Sequence, residues 1–494
     1  DSNMGMNVYS NREEILERIN AMTADDRDAE VVDYLMSFPE EDLTDELKGL
    51  LARAYNNTGE YEKALPLLVE TESYGRDTAN WNFRMGYSLY FLGDYEGSLK
   101  YFSQALEIEP DDEDTKWFIA QCNINMPFRQ RVVDFWKWFS ENSADIEEML
   151  AGRNDGRGSL SDLMAEGMSI IGEDVYYNIG GDRELTFCVE GNTECYYLYP
   201  YLVDNMPLEL KDRWSVQSCQ QPSDISGFIF RMYDKDIPMT EILVRADYDA
   251  ESSAFDLCYH HPALAELDEA KSINAFYVIL QHAIGEGAVY NYVYDVRQSD
   301  STDGMYPIGE LSSGMKNMLE NNGKEYHTEP ELNWCTYRCE PKEDSEKLRE
   351  EIICGNSRFM LLNRQYMEGD MQCYRDLASK GASAMFLMIT IPDGWGIKEF
   401  MDMRYTIEDR IESMFGNSDT PGLLLGGAMG NKGIAYIDVL LFDGPGFLRH
   451  LNDPRVMDDL LRCGDGSVMD SSLYAKGFCQ NDPMVELRNR DRMG

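Results

Sequence analysis

Histidine is nearly missing from this chain, with five in 494 residues. Imidazole is the side chain best matched to proton transfer near neutral pH and to zinc, so both chemistries have a thin supply here. Basic residues are short as well: 44 Lys+Arg stand against 90 Asp+Glu, for a formal net charge of −46. Phosphate backbones and anionic bilayer surfaces select basic patches, which argues against nucleic-acid and membrane partners. No run approaches the roughly 18 apolar residues that cross a bilayer. No N-terminal stretch joins a basic start to a long apolar run, so no secretory signal is visible. HExxH and the serine elbow are both missing.

Cysteine is present in an odd number, eleven, without a short regular framework. Most lie in apolar stretches such as Phe187-Cys188-Val189 and Asp256-Leu257-Cys258-Tyr259. They read as reduced thiols in a cytoplasmic compartment. The 43% apolar and 12% aromatic content is ample for packed cores, and the length suggests about three domains. The acidic excess keeps the chain dispersed and would speed its encounter with a basic protein. Asp1 to Gly5 reads as an added leader before a natural start at Met6.

One pattern repeats. Gly59-Glu60-Tyr61 returns as Gly93-Asp94-Tyr95, 34 residues later. Self-similarity at this period marks stacked helix pairs. Leu51, Tyr55, Gly59, Tyr61, Ala64 and Leu68 form the first copy. Met85, Gly86, Leu89, Gly93, Tyr95, Phe102, Ala105 and Pro110 form the second. Small residues at Ala64, Gly86 and Ala105 let two helices approach, and Pro110 ends the unit. A third first-type helix is expected over 112–126, with Trp117, Ile119 and Ala120. These residues resemble the tetratricopeptide repeat (TPR) family over about 45–126. Trp81 stands one place before the family's usual tryptophan, and Ser98 replaces its alanine.

Around the repeats, residues 8–43 read as a helical pair that opens at Ser10 or Asn11 and carries Ile15, Ile19 and Met22 at helical spacing. After Pro127 a long helix to about Leu150, with Phe128, Val132, Phe135 or Trp136, and Phe139 along one side, is expected to close the array. Asn154 to Ser159 reads as a linker.

From 160 onward strand-like and helical stretches alternate. Strands are expected over 184–189, 214–219, 242–248, 255–259 and 288–294, with a helix from Leu264 to His282. A second mixed region offers strands at 334–339 and 385–391 and an amphipathic helix at 400–415. A hairpin then turns at Gly430-Asn431-Lys432-Gly433. Strand, helix and hairpin in that order point to a ferredoxin-like, split βαβ layer. The end, Arg488 to Arg492, reads as a disordered charged run. The expected fold is therefore multidomain. An all-α helical-repeat domain over 6–150 precedes two α+β domains over 160–300 and 307–480. Leu280-Gln281-His282-Ala283-Ile284-Gly285-Glu286 resembles uncharacterised bacterial proteins that join such domains to TPRs, some of them in toxin–immunity neighbourhoods.

Three stretches invite chemistry and fall short of it. Cys258-Tyr259-His260-His261 lacks a second pair to complete a zinc tetrahedron, although Cys335 and Cys339 could share a strand face. Asp247-Tyr248-Asp249-Ala250-Glu251 has Ser252 and Cys258 where a calcium loop needs Gly and Glu. Gly426 to Gly433 lacks the Gly-Lys-Ser/Thr ending of a phosphate loop. Carboxylate pairs such as Glu408 with Glu412 are inevitable among so many acids. No cofactor, metal or catalytic residue is therefore assigned.

The resemblance implies that the first helix of each repeat lines a concave face. It places Arg53, Asn56, Asn57, Phe83, Tyr87 and Tyr90 there as a groove for a protein or peptide. The Lys/Asn clamp of the chaperone-tail subgroup is absent: Gly49 and Phe83 hold its first place, Arg53 and Tyr87 its second. The resulting reading is a cytoplasmic protein-binding adaptor whose charge favours a basic partner. Its alternatives are an immunity-like inhibitor of a basic effector, and an enzyme with a cleft between the α+β domains.

Overall fold

Oxygen side chains recur at a fixed interval at the start of the repeat helices. In the computed structural model, which describes residues 11–153, 156, 158–342 and 344–492, Thr44 accepts from Leu47 N, Thr78 from Trp81 N and Asp112 from Thr115 N. Each such cap satisfies one orphan N–H and contributes about 1 kcal/mol. Met6, Ser10 and parts of the expected linker lie outside the described residues.

The caps open α3 (Asp45–Asn57), α6 (Ala79–Phe91) and α8 (Glu113–Ile124), which follow the pair α1 (Arg12–Ala24) and α2 (Asp28–Met36). Their partners are α4 (Tyr61–Glu70), extended by the short α5 (Glu72–Gly75), and α7 (Tyr95–Ile108). The first helices end on Gly59 and Gly93, both left-handed at φ +81° and +80°. Only glycine takes that conformation without a steric cost. Tyr61 then stacks on Phe91 with centroids 4.9 Å apart, and Tyr95 meets Tyr90 edge-on at 5.4 Å.

Gly86 leaves the space that Phe102 fills; a Cβ there would lie 2.9 Å from the ring. The two departures from the repeat pattern are accommodated. Ser98 donates to Gly86 O at 2.7 Å, and Trp81 donates Nε1 to Leu68 O at 2.9 Å. Ile15, Ile19, Met22, Val31 and Leu35 share one core with Leu47, Leu51, Leu68 and Trp81, so the first pair continues the array.

The chain divides into two compact units. The first holds the described residues up to 130 together with 418–420 and 442–454. The late segment includes the helix Gly444–Leu451. Its Arg449 donates to Leu92 O at 3.0 Å, and Pro445 lies against Gly93. Asp443 pairs with Arg129 at 3.2 Å, and Arg129 N donates to Phe442 O.

The second unit holds 131–417, 421–441 and 455–494. The long helix expected to close the array, α9 (Phe128–Leu150), gives this unit all but its first turn. There Trp136 Nε1 donates to Leu202 O at 2.7 Å and Phe139 meets Trp214 at 5.0 Å.

The strands of both expected α+β regions lie in this unit. Strands β1 (Tyr176–Gly180), β2 (Glu184–Cys188) and β3 (Ser215–Gln217) form a small sheet, and β4 (Ile229–Met232) and β5 (Lys235–Pro238) a hairpin. Next come β6 (Leu243–Asp249), β7 (Ala254–His260), β8 (Val293–Gln298) and β9 (Tyr306–Pro307), in the order β8-β7-β6-β9. The helix Glu269–Ile284 connects β7 to the parallel β8. The core of this sheet runs past residue 300 through Ile308, Leu311, Met315 and Leu319.

The strand expected at 288–294 is instead the helix Glu286–Tyr292, with β8 starting at Val293. Its Val/Tyr alternation imitates a strand. Gly285, at φ +88°, ends the preceding helix, and Gly287 seats the new one against Thr328 O, where a Cβ would come within 1.9 Å. Tertiary packing overrides the local pattern.

The second sheet contains β10 (Cys335–Arg338), β11 (Ile352–Ser357), β12 (Ser383–Thr390), β13 (Gly422–Gly430), β14 (Ile434–Leu441), β15 (Leu473–Gly477) and β16 (Val485–Arg488). Its order is β10-β11-β13-β14-β12-β15-β16, antiparallel throughout. The helix Ile397–Phe415 links β12 to β13, and β14 lies between those two strands. The charged end read as disordered begins within β16, whose Arg488 is in register with Leu473. Among the described residues no helix is long and apolar enough to cross a membrane.

Arg349 pins this sheet from below. It is buried, makes two bonds to Asp438 at 2.6 and 2.9 Å, and donates to Asn363 Oδ1 at 2.9 Å. Its guanidinium lies about 5 Å from the rings of Phe386, Tyr436 and Phe478. Removing one partner leaves the other charge buried without compensation. Arg349→Ala is expected to lower stability by about 3–5 kcal/mol, measured by urea unfolding with a tryptophan probe. The double change Arg349→Met, Asp438→Leu should recover most of the loss.

Candidate functional site

The wall formed by the first helices is hollow. One cavity of about 270 Å³ is lined by Arg53, Asn56, Asn57, Asn80, Phe83, Arg84 and Tyr87. A second, of about 370 Å³, shares Arg53, Asn80 and Arg84 with it and extends past Gly49 and Tyr74. A third, of about 570 Å³, shares Asp45, Glu46 and Tyr74 with the second and reaches Arg12 and Glu41. The three form one trough along α3 and α6.

Five of the six groove residues read from the sequence line the first cavity; Tyr90 does not. Tyr90 packs edge-on against Phe118 at 5.2 Å and Tyr95 at 5.4 Å, so it holds helices together. Asn56 needs a correction as well. It is 3% exposed, its Nδ2 donates to Arg84 O at 3.2 Å, and its Oδ1 accepts from Ser88 at 2.8 Å. Its amide is already committed to joining α3 to α6. Asn57 is exposed, as expected of a contact residue. Phe83 turns one edge inward to Phe102 at 5.3 Å and Phe118 at 5.7 Å, yet still borders the cavity.

Residues 79–112 match the family model described as tetratricopeptide repeat. This segment is a tetratricopeptide repeat. Among solved structures, one reported under "Molecular features of the UNC-45 chaperone critical for binding and folding muscle myosin" is similar at 17% identity and a TM-score of 0.22. The match covers 32% of this chain and 18% of that one, so it spans less than a fifth of that protein. No curated protein matches this chain.

The repeat's own period locates wall residues that the sequence reading passed over. The offset that relates Gly49 to Phe83 also relates Phe83 to Trp117, and Asn57 to Phe91. Trp117 is 55% exposed and Phe91 45% exposed. Phe91 lies 4.7 Å from Tyr87, and Trp117 lies 5.0 Å from Phe118, which in turn meets Tyr87 at 5.4 Å. The same offset aligns Arg84 with Leu50, a position with no polar signal in the first copy.

Arg53 and Arg84 are the basic residues shared by the first two cavities, and Asp45 and Glu46 also line the second. Arg53 donates to Thr23 Oγ1 at 2.9 Å while its Nε is buried without a partner. Arg84 donates to Gly49 O at 3.1 Å. Among the described residues neither guanidinium has a carboxylate partner. Burial lowers both pKa values, that of Arg84 to about 10, helped by the like charge of Arg53. Both remain cationic at neutral pH.

The other candidates read from the sequence are structural. His260 Nδ1 contacts Ser299 O at 2.8 Å, and His261 Nδ1 accepts from Ala263 N to cap a short helix. Asp249 accepts from Glu251 N and Ser252 Oγ in the β6–β7 turn. Gly426 to Gly433 closes the β13–β14 hairpin. Cys335 and Cys339 are exposed at the edge strand β10. Among the described residues no group of three or more His, Cys, Asp or Glu is placed to hold a metal.

Glu408 has the shifted acidity that an enzyme reading calls for. Burial pushes its carboxyl up to about 7, opposed by Arg404 and aided by the charge of Asp438. It sits beneath β13, where a Cβ on Gly427 would lie 2.5 Å from Oε1. The raised value means that folding disfavours the charged form. Its contribution to stability is complete below the ordinary value of 4.5 and is lost as pH rises through about 7. Between about pH 4 and about pH 8, the stability difference between Glu408→Gln and wild type is expected to move in the variant's favour by roughly 3 kcal/mol. Thermal unfolding across that range checks it, and a pH-independent difference would contradict the assignment.

Proposed function

We propose that this protein is an adaptor that holds a protein or peptide partner in the trough along α3, α6 and α8. The observation that carries this reading is the vacancy of the wall. A cavity is lined by Arg53, Asn57, Phe83 and Tyr87; the Phe91 ring lies 4.7 Å from that of Tyr87, and both Phe91 and Trp117 of α8 are left half exposed. Aromatic side chains offer flat apolar area at low entropic cost, and exposed Asn amides can bond an extended backbone. Eleven free cysteines support a reducing, cytoplasmic setting. The placement of β14 between β12 and β13 supports a ferredoxin-like kinship for the second sheet.

Affinity capture with the full chain tests the reading when wild type is compared with Asn57→Arg and Trp117→Ala. Both positions are exposed, so both variants should keep the wild-type melting temperature. The expected outcome is loss of the same prey in both, with retention by an outer-face control, Glu62→Gln. Equal recovery by all four chains would move the binding site off this wall.

A further inference from the structure

In a chain with twice as many acids as bases, two neighbouring guanidiniums without a carboxylate are an anomaly. Three of the nearby acids have other partners, and Asp45 lines the hollow at its Tyr74 end. Glu46 bonds Arg12, Glu70 bonds Lys48, and Asp28 accepts from Thr23 Oγ1. Gly49 keeps this part of the wall open: a Cβ there would lie 3.2 Å from Arg84 Nη1. The remaining N–H groups of Arg84 have no protein partner among the described residues.

The trough continues on both sides of the arginine pair. On one side it runs past Tyr74 toward Glu41 and Asp45. On the other lie Phe83 and Tyr87, with Phe91 4.7 Å from Tyr87 and the half-exposed Trp117 on the next helix, α8. A ligand chain can therefore pass through and present a side-chain carboxylate; the site does not require a chain terminus. Guanidinium forks match carboxylates with two parallel bonds, and in a partly desolvated hollow such bonds exceed neutral ones.

Resting on the adaptor reading, we propose that the partner is an extended segment with an internal Asp or Glu held between Arg53 and Arg84. Beside that acid it carries an aromatic or large apolar residue, which lies on the Phe83–Tyr87–Phe91–Trp117 face. The wall thus selects an acidic-apolar sequence even though the protein is strongly acidic, which reverses the basic partner expected from net charge.

The test is selection of a random dodecapeptide library on the immobilised full chain, followed by fluorescence anisotropy with the enriched peptides. The expected enrichment is Asp or Glu next to Phe, Trp, Tyr or Leu. Changing the peptide's acid to its amide leaves the protein untouched and should weaken Kd about tenfold to a hundredfold. Arg53→Gln and Arg84→Gln should cause similar losses and erase the difference between acid and amide peptides, and Trp117→Ala should weaken both peptides alike. Peptides that need Trp117 but show no acid preference would overturn the carboxylate assignment and leave the adaptor reading intact. Enrichment of Lys- or Arg-rich peptides would also overturn it. No enrichment above a blank surface would overturn both.

Discussion

Phe102 lies flat beneath Gly86 because glycine has no side chain to displace it, and the inner wall depends on that fit. The contact brings α7 against α6 at close range. It fixes the rotation of α6, and that rotation decides which residues look inward. Phe83, Tyr87 and Phe91 point to the trough because Met85, Gly86 and Ser88 are buried on the other side. The left-handed glycines after α3 and α6 set the reversal that makes such pairing possible. Interiors packed to crystal-like density transmit a lost contact of this kind to the next helix.

Charge works at two scales here. The net value of −46 governs solubility and the long-range field. Contact is governed locally, by which groups lack counter-ions. Many basic residues are tied to acids at the surface, where such pairs are worth little. Arg53 and Arg84 escape this because they sit between helices, where few side chains reach. Net charge alone leads to the expectation of a basic partner, whereas the wall carries two cations, Arg53 and Arg84, without carboxylate partners among the described residues.

The second unit places its buried charges differently. Arg349 with Asp438 and Lys380 with Glu194 are nearly inaccessible and paired, at 2.6 and 2.8 Å. Glu286 collects the backbone N–H groups of Val189, Glu190 and Gln220. These groups specify how the layers meet, which is a recognised use of buried polar networks. Glu194 and Glu408 each keep one carboxyl oxygen without a hydrogen bond.

What the sequence alone determined is the local part of the molecule. Caps at Thr44, Thr78 and Asp112, turns at Gly59 and Gly93, and apolar residues at helical spacing act over a few residues, so the repeat could be read directly. The hairpin turn at 430–433 and the helix expected over 400–415, which spans Ile397–Phe415, were legible for the same reason. Tertiary structure alone decided the rest. Ala288 to Tyr292 alternates like a strand yet is helical because Gly287 must pass Thr328. Asn56 and Tyr90 carry groove-type side chains, but their neighbours consume them. Arg84 occupies a position whose counterpart is leucine, and its significance arises only when α3 and α6 stack and leave its charge unpaired. Pairing between residues far apart in the chain has no periodic trace, so burial and counter-ions become visible only once the helices are packed.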